Sequence, residues 1–289
     1  MKPLLLVPLL SALLVACAGN STATPAAPPA SPAGSTAADA GTAAALDRVI
    51  AGSWRTPGSA ARDAWRHPKE TLTFFGIRPD MTVVEITPGA GWYMELLAPY
   101  LHERGRYVAA VVDPQALAPD RRDYAARAMR TVEERQRGEP DDVFGRATLV
   151  AYDPAAPRFG PDGSADAVLT FRNVHNWLGA GNAQAMFEGF HRVLRPGGVL
   201  GVVEHRAAGE LPADDRSGYV GEATVIRLAE AAGFRLDARS EVNANPADTR
   251  DHPNGVWTLP PSNRHDAADA PKYQAIGESD RMTLRFVRD

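Results

Sequence analysis

The feature that most constrains this chain is a regular exchange between short β-rich runs and helical runs, with a glycine turn at the first exchange. Thr82-Val83-Val84-Glu85-Ile86 reads as a strand. Trp92 to Leu101 reads as a helix, with Tyr93, Leu96, Leu97, Tyr100 and Leu101 at helical spacing. Further strands are expected at Arg106 to Val112, Ala147 to Ala151, Ala165 to Phe171, Val199 to Glu204, Phe234 to Val242 and Arg281 to Val287. Helices are expected at Ala183 to Leu194 and Glu222 to Ala232, and the strongly charged stretch Asp120 to Arg137 reads as a solvated surface helix. Leu46 to Gly76 reads as two helical pieces broken near Pro57-Gly58, and Pro99 should kink or end its helix. Strands alternating with helices imply right-handed crossovers and a mostly parallel α/β sheet covered on both faces.

Not all of the 289 residues belong to that unit. Lys2, the apolar run Leu4 to Val15, and then Ala16-Cys17 describe a secretory signal over residues 1–17. The run is well short of the ~20 apolar residues a spanning helix needs. Leu14-Val15-Ala16-Cys17 resembles the lipobox of bacterial lipoproteins, which implies cleavage before Cys17 and acylation of its thiol. The expectation is a membrane protein held by a lipid anchor on the periplasmic side of the cell envelope. Cys17 is the only cysteine, so no intramolecular disulfide can form. Residues 18–45 are almost all Ala, Pro, Ser, Thr and Gly and read as a disordered tether. Residues 46–289 are then one domain with an N-terminal helical lid. A formal net charge of −4 and no block of Lys and Arg point away from nucleic acid.

The turn Thr87-Pro88-Gly89-Ala90-Gly91 lies where a strand passes into a helix, the place where open α/β sheets bind ligands. Glycines let backbone approach a ligand, and the helix start offers free N–H groups to a carboxylate. Glu85 can accept hydrogen bonds from an amino group, so a zwitterionic amino acid suits this loop better than a pyrophosphate. The dinucleotide fingerprint G-x-G-x-x-G fails at Met94, which disfavours a nicotinamide-dependent oxidoreductase. Asp113 ends the second strand about 20 residues further on, where a carboxylate can take ribose hydroxyls. The alternative for Asp113 is capping the turn at Pro114. Asp153 ends the third strand, placed either to meet an adenine amino group or to cap the turn at Pro154.

These residues together resemble class I S-adenosylmethionine-dependent methyltransferases. Glu85 with Pro88-Gly89-Ala90-Gly91 is similar to their first motif, and Asp113 to the acidic second one. Asp153 is similar to the adenine-side acid, Ser164-Ala165-Asp166-Ala167-Val168 to the fourth strand, and Leu194-Arg195-Pro196-Gly197-Gly198 to the turn before strand five. Arg62-Asp63, Pro68, Phe74-Phe75-Gly76-Ile77 and Phe171-Arg172-Asn173-Val174-His175-Asn176-Trp177 resemble a bacterial group of predicted methyltransferases, several exported. The resemblance implies a Rossmann-like, seven-stranded sheet with an antiparallel last strand, and S-adenosylmethionine as cofactor. It places Glu85, Pro88, Gly89, Gly91, Asp113, Asp153 and Asn173 around that cofactor. Trp92 departs from the pattern, standing where a third glycine is frequent.

Methyl transfer from a sulfonium asks the protein mainly to position a nucleophile and sometimes to take its proton. His175 and His205 are the base candidates, the alternative for each being to cap its loop by hydrogen bonds, with Arg172, Asn176 and Tyr219 as substrate contacts. Arg62, Asp63 and Arg66 lie on the N-terminal helical lid, where they either contact the pocket it covers or form a solvated face, the second being the expectation. The stretch Asn245 to Asp269 is long for a loop, which suggests function. His252 and His265 there lack ligand spacing, and no metal is expected. The expected activity is methylation of a small molecule; the alternative is a non-catalytic lipoprotein that binds a nucleoside or other small ligand on the same fold.

Overall fold

The structure, a computed structural model, describes residues 36–138 and 143–289. Cys17, the signal-like segment and most of the tether lie outside the described residues. Seven strands form one sheet: β1 (Thr82–Ile86), β2 (Arg106–Val112), β3 (Thr148–Tyr152), β4 (Ala165–Phe171), β5 (Leu194–His205), β6 (Phe234–Ser240) and β7 (Arg281–Arg288). Their order is β3-β2-β1-β4-β5-β7-β6. β1 pairs in parallel with β2 and β4, whereas β7 is antiparallel to both β5 and β6. The switch in direction of travel beside β1 opens a crevice at the carboxyl ends of β1 and β4.

Among the described residues ten α-helices surround the sheet: α1 (Thr36–Ile50), α2 (Pro57–Ala60), α3 (Asp63–Arg66), α4 (Pro68–Phe74), α5 (Met94–Leu101), α6 (Arg122–Gln136), α7 (Val174–Ala180), α8 (Ala183–Val193), α9 (Glu222–Ala231) and α10 (Ala270–Ile276). Strand alternation splits the core in two. Val83, Tyr107 and Ala109 pack with Leu46, Leu72, Leu97 and Val132 on one face. Val84, Ile86 and Val168 pack with Trp177, Phe187 and Val225 on the other.

The N-terminal region differs most from expectation. Helix α1 starts at Thr36, inside the stretch expected to be tether, and Ala45, Leu46 and Val49 are buried. Alanine lacks apolar bulk but is the best helix former, so once Leu46 docks, its alanine-rich run continues the helix. The expected two helical pieces before β1 are four. Helix α6 is not simply solvated, since Ala125, Ala128 and Val132 line up on its buried side. Helices α7 and α10 carry too little apolar periodicity to stand out.

Helix α5 passes through Pro99 and ends at Leu101, where a kink or stop was expected. Proline cannot donate to the carbonyl four residues back, which here belongs to Glu95. The Trp54 indole takes that carbonyl, with Nε1 donating to Glu95 O at 2.9 Å. Trp54→Phe should therefore destabilise the fold by about 1–2 kcal/mol by stranding the carbonyl. Adding Pro99→Ala should recover most of this, because an alanine at that position regains an N–H for the Glu95 carbonyl. Urea unfolding of the two single variants and the double variant checks it; additive losses would show that the indole does not replace the missing helix bond.

Candidate active site

The chain turns out of β1 through three left-handed residues, Thr87 (φ 52°), Gly89 (φ 60°) and Gly91 (φ 79°). The third such position precedes the glycine pair instead of following it, which corrects the weight placed on Trp92. A β-branched residue is unusual in this conformation. Thr87 is held there by its N–H to Ala110 O at 2.8 Å and by its hydroxyl against Tyr152 OH at 2.9 Å. Trp92 is buried, and its Nε1 donates to Ser59 O at 2.8 Å, fastening the loop to the N-terminal helices.

Two cavities meet at this turn. The larger, about 670 Å³, lies over the ends of β2 and β3 and is lined by Val112, Leu117, Tyr152, Asp153 and Trp177, among others. The second, about 450 Å³, is bordered by Pro88, Gly89, Arg66, Arg172, His175 and His205. Thr87, Tyr124 and Asn176 line both. The N–H groups of Gly89 and Ala90, beside the second cavity, have no acceptor among the described residues. The long stretch after β6 supplies Trp257 and Pro260 to the wall of the second cavity.

Several expected site residues occupy different surroundings from those anticipated. Glu85 lies beneath the loop, only 2% exposed, and Tyr107 OH donates to its Oε2 at 2.7 Å. Strand alternation puts it on the face of Val83 and Tyr107, so its carboxylate does not line either cavity. Gly91 faces the Arg135 side chain. Asp113 caps the 3-10 turn Pro114–Ala116, with Gln115 N donating to Oδ1 at 2.8 Å. Its Oδ2 has no partner among the described residues, but Asp113 does not itself line the larger cavity, although Val112 and Ala116 do. Asp153 lines that cavity while its Oδ1 accepts from Ala155 N. Asn173 borders the second cavity and donates from Nδ2 to Ile86 O and Thr170 Oγ1, tying β4 to β1. Tyr219 is turned away, its hydroxyl donating to the carboxylate of Asp248 at 2.9 Å. His252 bonds the same carboxylate, and His265 packs on Tyr273.

His175 and His205 do come together, with ring centroids 5.5 Å apart. What joins them is Glu204, a residue that sequence reasoning passed over. It is fully buried at the end of β5, and Oε2 accepts from Val174 N at 2.5 Å while Oε1 accepts from His205 N at 2.8 Å. Oε1 also lies 3.1 Å from His175 Nδ1, so the proton sits on Nδ1 and Nε2 is left free to accept one. His205 Nδ1 is bonded to Ser279 Oγ. Burial pushes its pKa well down, with His175 when protonated and then Arg172 adding to the effect, which favours the neutral ring. One ligand atom from each of His175, Glu204 and His205 falls within 4.8 Å of the others, a grouping that could hold a metal ion. The carboxylate is already occupied by backbone N–H groups, and Arg172, Arg281 and Arg66 add positive potential, which favours proton handling over cation binding.

Arg66 also corrects the reading of the lid as a solvated face. It is 3% exposed and borders the second cavity.

No family model and no curated protein matches the sequence. Solved structures do match. A SAM-dependent methyltransferase from Aquifex aeolicus aligns with 79% of this chain and 93% of its own, at 17% identity and a TM-score of 0.51. The [4+2]-cyclase SpnF aligns with 86% of this chain and 93% of its own, at 17% identity and a TM-score of 0.52. The chain is therefore built on the Rossmann-like fold of class I S-adenosylmethionine-dependent methyltransferases. One neighbour is a cyclase, so the reaction has to be argued from the site.

Burial raises the Glu85 carboxyl from its ordinary 4.5 to about 7, against the opposing pull of Tyr107, Arg172 and Arg66. The folded state keeps this proton where the unfolded chain has lost it. The associated stability is whole below about pH 4.5 and declines as pH rises to about 7. Glu85→Gln keeps the Tyr107 bond and removes the titration. Over that range the wild type should lose up to about 3 kcal/mol relative to the variant. Urea unfolding at several pH values reads this; a constant difference would show that Glu85 is ionised throughout.

Proposed function

We propose that the protein transfers a methyl group from S-adenosylmethionine to a small-molecule acceptor. The observation that carries this is the pair of joined cavities on the β1 turn. The larger, largely apolar one suits an adenosine, with Asp153 at its polar edge and Asp113 one residue beyond the lining Val112. The second suits an amino-acid tail at the open N–H groups of Gly89 and Ala90. When bound, S-adenosylmethionine supplies an electrophilic methyl group on a sulfonium.

The chain's own part in the chemistry is positional. Glu204 fixes the tautomer and orientation of His175, leaving Nε2 as the nitrogen able to take a proton from an acceptor O–H or N–H. His205, kept neutral, adds no competing charge beside it. Asn176, at the junction of the cavities, is placed to orient the acceptor. A non-catalytic small-ligand protein on the same fold is the other reading. The His175–Glu204 pair favours the enzyme, because a mere binding pocket does not need an oriented base.

Calorimetry of the purified protein should show micromolar binding of S-adenosylmethionine and S-adenosylhomocysteine, and none of NAD. Asp153→Ala and Asp113→Ala should each weaken S-adenosylhomocysteine binding by about tenfold, the worth of one hydrogen bond. His175→Gln should leave it unchanged. No binding of either adenosyl ligand would sink the proposal.

We also propose that the chain is exported and anchored by acylated Cys17, on the support of the lipobox-like sequence alone. Labelling cells with radioactive palmitate should mark the wild type and not Cys17→Ala; an unlabelled wild type would remove the anchor.

A further inference from the structure

The second cavity holds more positive charge than its carboxylates balance. Glu278 serves three guanidinium groups. Arg62 Nε lies 2.6 Å from its Oε1, and Arg281 Nη1 3.2 Å from its Oε2. Arg281 is satisfied further by Trp65 O at 2.8 Å and Ser279 O at 3.1 Å. Burial opposes ionisation of Glu278, but Arg281, Arg66 and Arg62 together hold its pKa down at about 2. This carboxylate is thus ionised and fully used.

Arg66 is left over. Its guanidinium lies 4.6 Å over the Trp92 ring, and its Nε is 3.5 Å from Glu278 Oε2 without forming a hydrogen bond. Nε and Nη1 are buried and have no hydrogen-bond partner among the described residues. Burial, and next the charge of Arg172, pull its pKa down to about 8, and the shared Glu278 carboxylate offsets this only in part. Arg172, which borders the same cavity, has no hydrogen-bonded or ion-paired side-chain partner among the described residues. Its backbone is left-handed (φ 61°), held by its N–H to Val203 O at 2.7 Å. The nearest other carboxylates are committed, Glu85 to Tyr107 and Glu204 to backbone N–H groups. Buried cations without partners are costly, and a guanidinium fork matches a carboxylate in shape and charge.

We propose that Arg66 and Arg172 form a carboxylate-binding site, which takes the acid group of the small molecule entering the second cavity. That acid belongs either to the amino-acid tail of the adenosyl cofactor or to the methyl acceptor itself. Only the first source rests on the cofactor reading.

The test uses Arg66→Met, which keeps the stack on Trp92, and Arg172→Gln, whose site is less buried. The probes are S-adenosylhomocysteine, its tail-less analogue 5′-methylthioadenosine, and benzoate with neutral benzyl alcohol as control, all by calorimetry. If the site takes the cofactor tail, both variants lose at least about tenfold in S-adenosylhomocysteine affinity and nothing towards methylthioadenosine. If it takes the acceptor, S-adenosylhomocysteine affinity holds, while benzoate binding to the wild type is lost in both variants and benzyl alcohol is indifferent to them. Either pattern supports the site. Unchanged binding of every probe in folded variants overturns it, as does equal loss of both nucleosides without benzoate binding. If the wild type binds neither nucleoside, the cofactor reading fails and the benzoate comparison alone decides the carboxylate site. Thermal melting guards against misfolding: a variant counts as folded only if it melts in one cooperative transition.

Discussion

The binding geometry depends on the reversal of the chain between β1 and α5. Left-handed residues at 87, 89 and 91 turn the backbone without closing it over, and so leave a hollow at the carboxyl ends of the central strands. Glycine removes the steric cost at two of these positions. At the third, a threonine is held by hydrogen bonds to β2 and to Tyr152 on β3. The turn is then fastened from outside by Trp92 bonded to Ser59. Both cavities are bounded by this one turn.

A second constraint acts from the other side of the crevice. Glu204 is a fully buried carboxylate at the end of β5 that gathers the start of α7 and both histidines. Its interactions are backbone N–H groups and one imidazole, so it fixes both loop position and ring orientation. Around it the electrostatics are lopsided. Arg62 and Arg281 pair closely with Glu278, Arg66 shares that carboxylate only at 3.5 Å, and Arg172 has no ion-pair partner among the described residues. That imbalance gives the cavity a preference for anions which its shape alone would not.

Much of the architecture was legible because it rests on local patterns. β1, β2 and β4 stand at the expected residues, since each is a short run rich in β-branched or small apolar residues bounded by turn signals. The antiparallel β7 followed from the resemblance. The pieces that sequence reasoning misplaced are those whose pattern is weak or misleading. The alanine-rich start of α1 reads as a linker by composition, yet it is helical, continuous with the docked Leu46. Pro99 reads as a break, yet an indole distant in sequence takes over the orphaned carbonyl.

The sequence by itself determined the order of strands and helices, the glycine turn and the clustering of Arg172 to Trp177 near it, because propensity, periodicity and chain connectivity are local. Only the tertiary structure decided which acids face a cavity and which are spent on the fold. Glu85 went to Tyr107 and Tyr219 to Asp248, while Arg66 moved from an apparent surface helix into the cavity wall. The physical reason is that the partner of a charged or polar side chain is chosen by residues far away in the chain. For Arg66 the nearest carboxylate lies more than two hundred positions away at Glu278, and no reading of neighbours along the sequence reveals it.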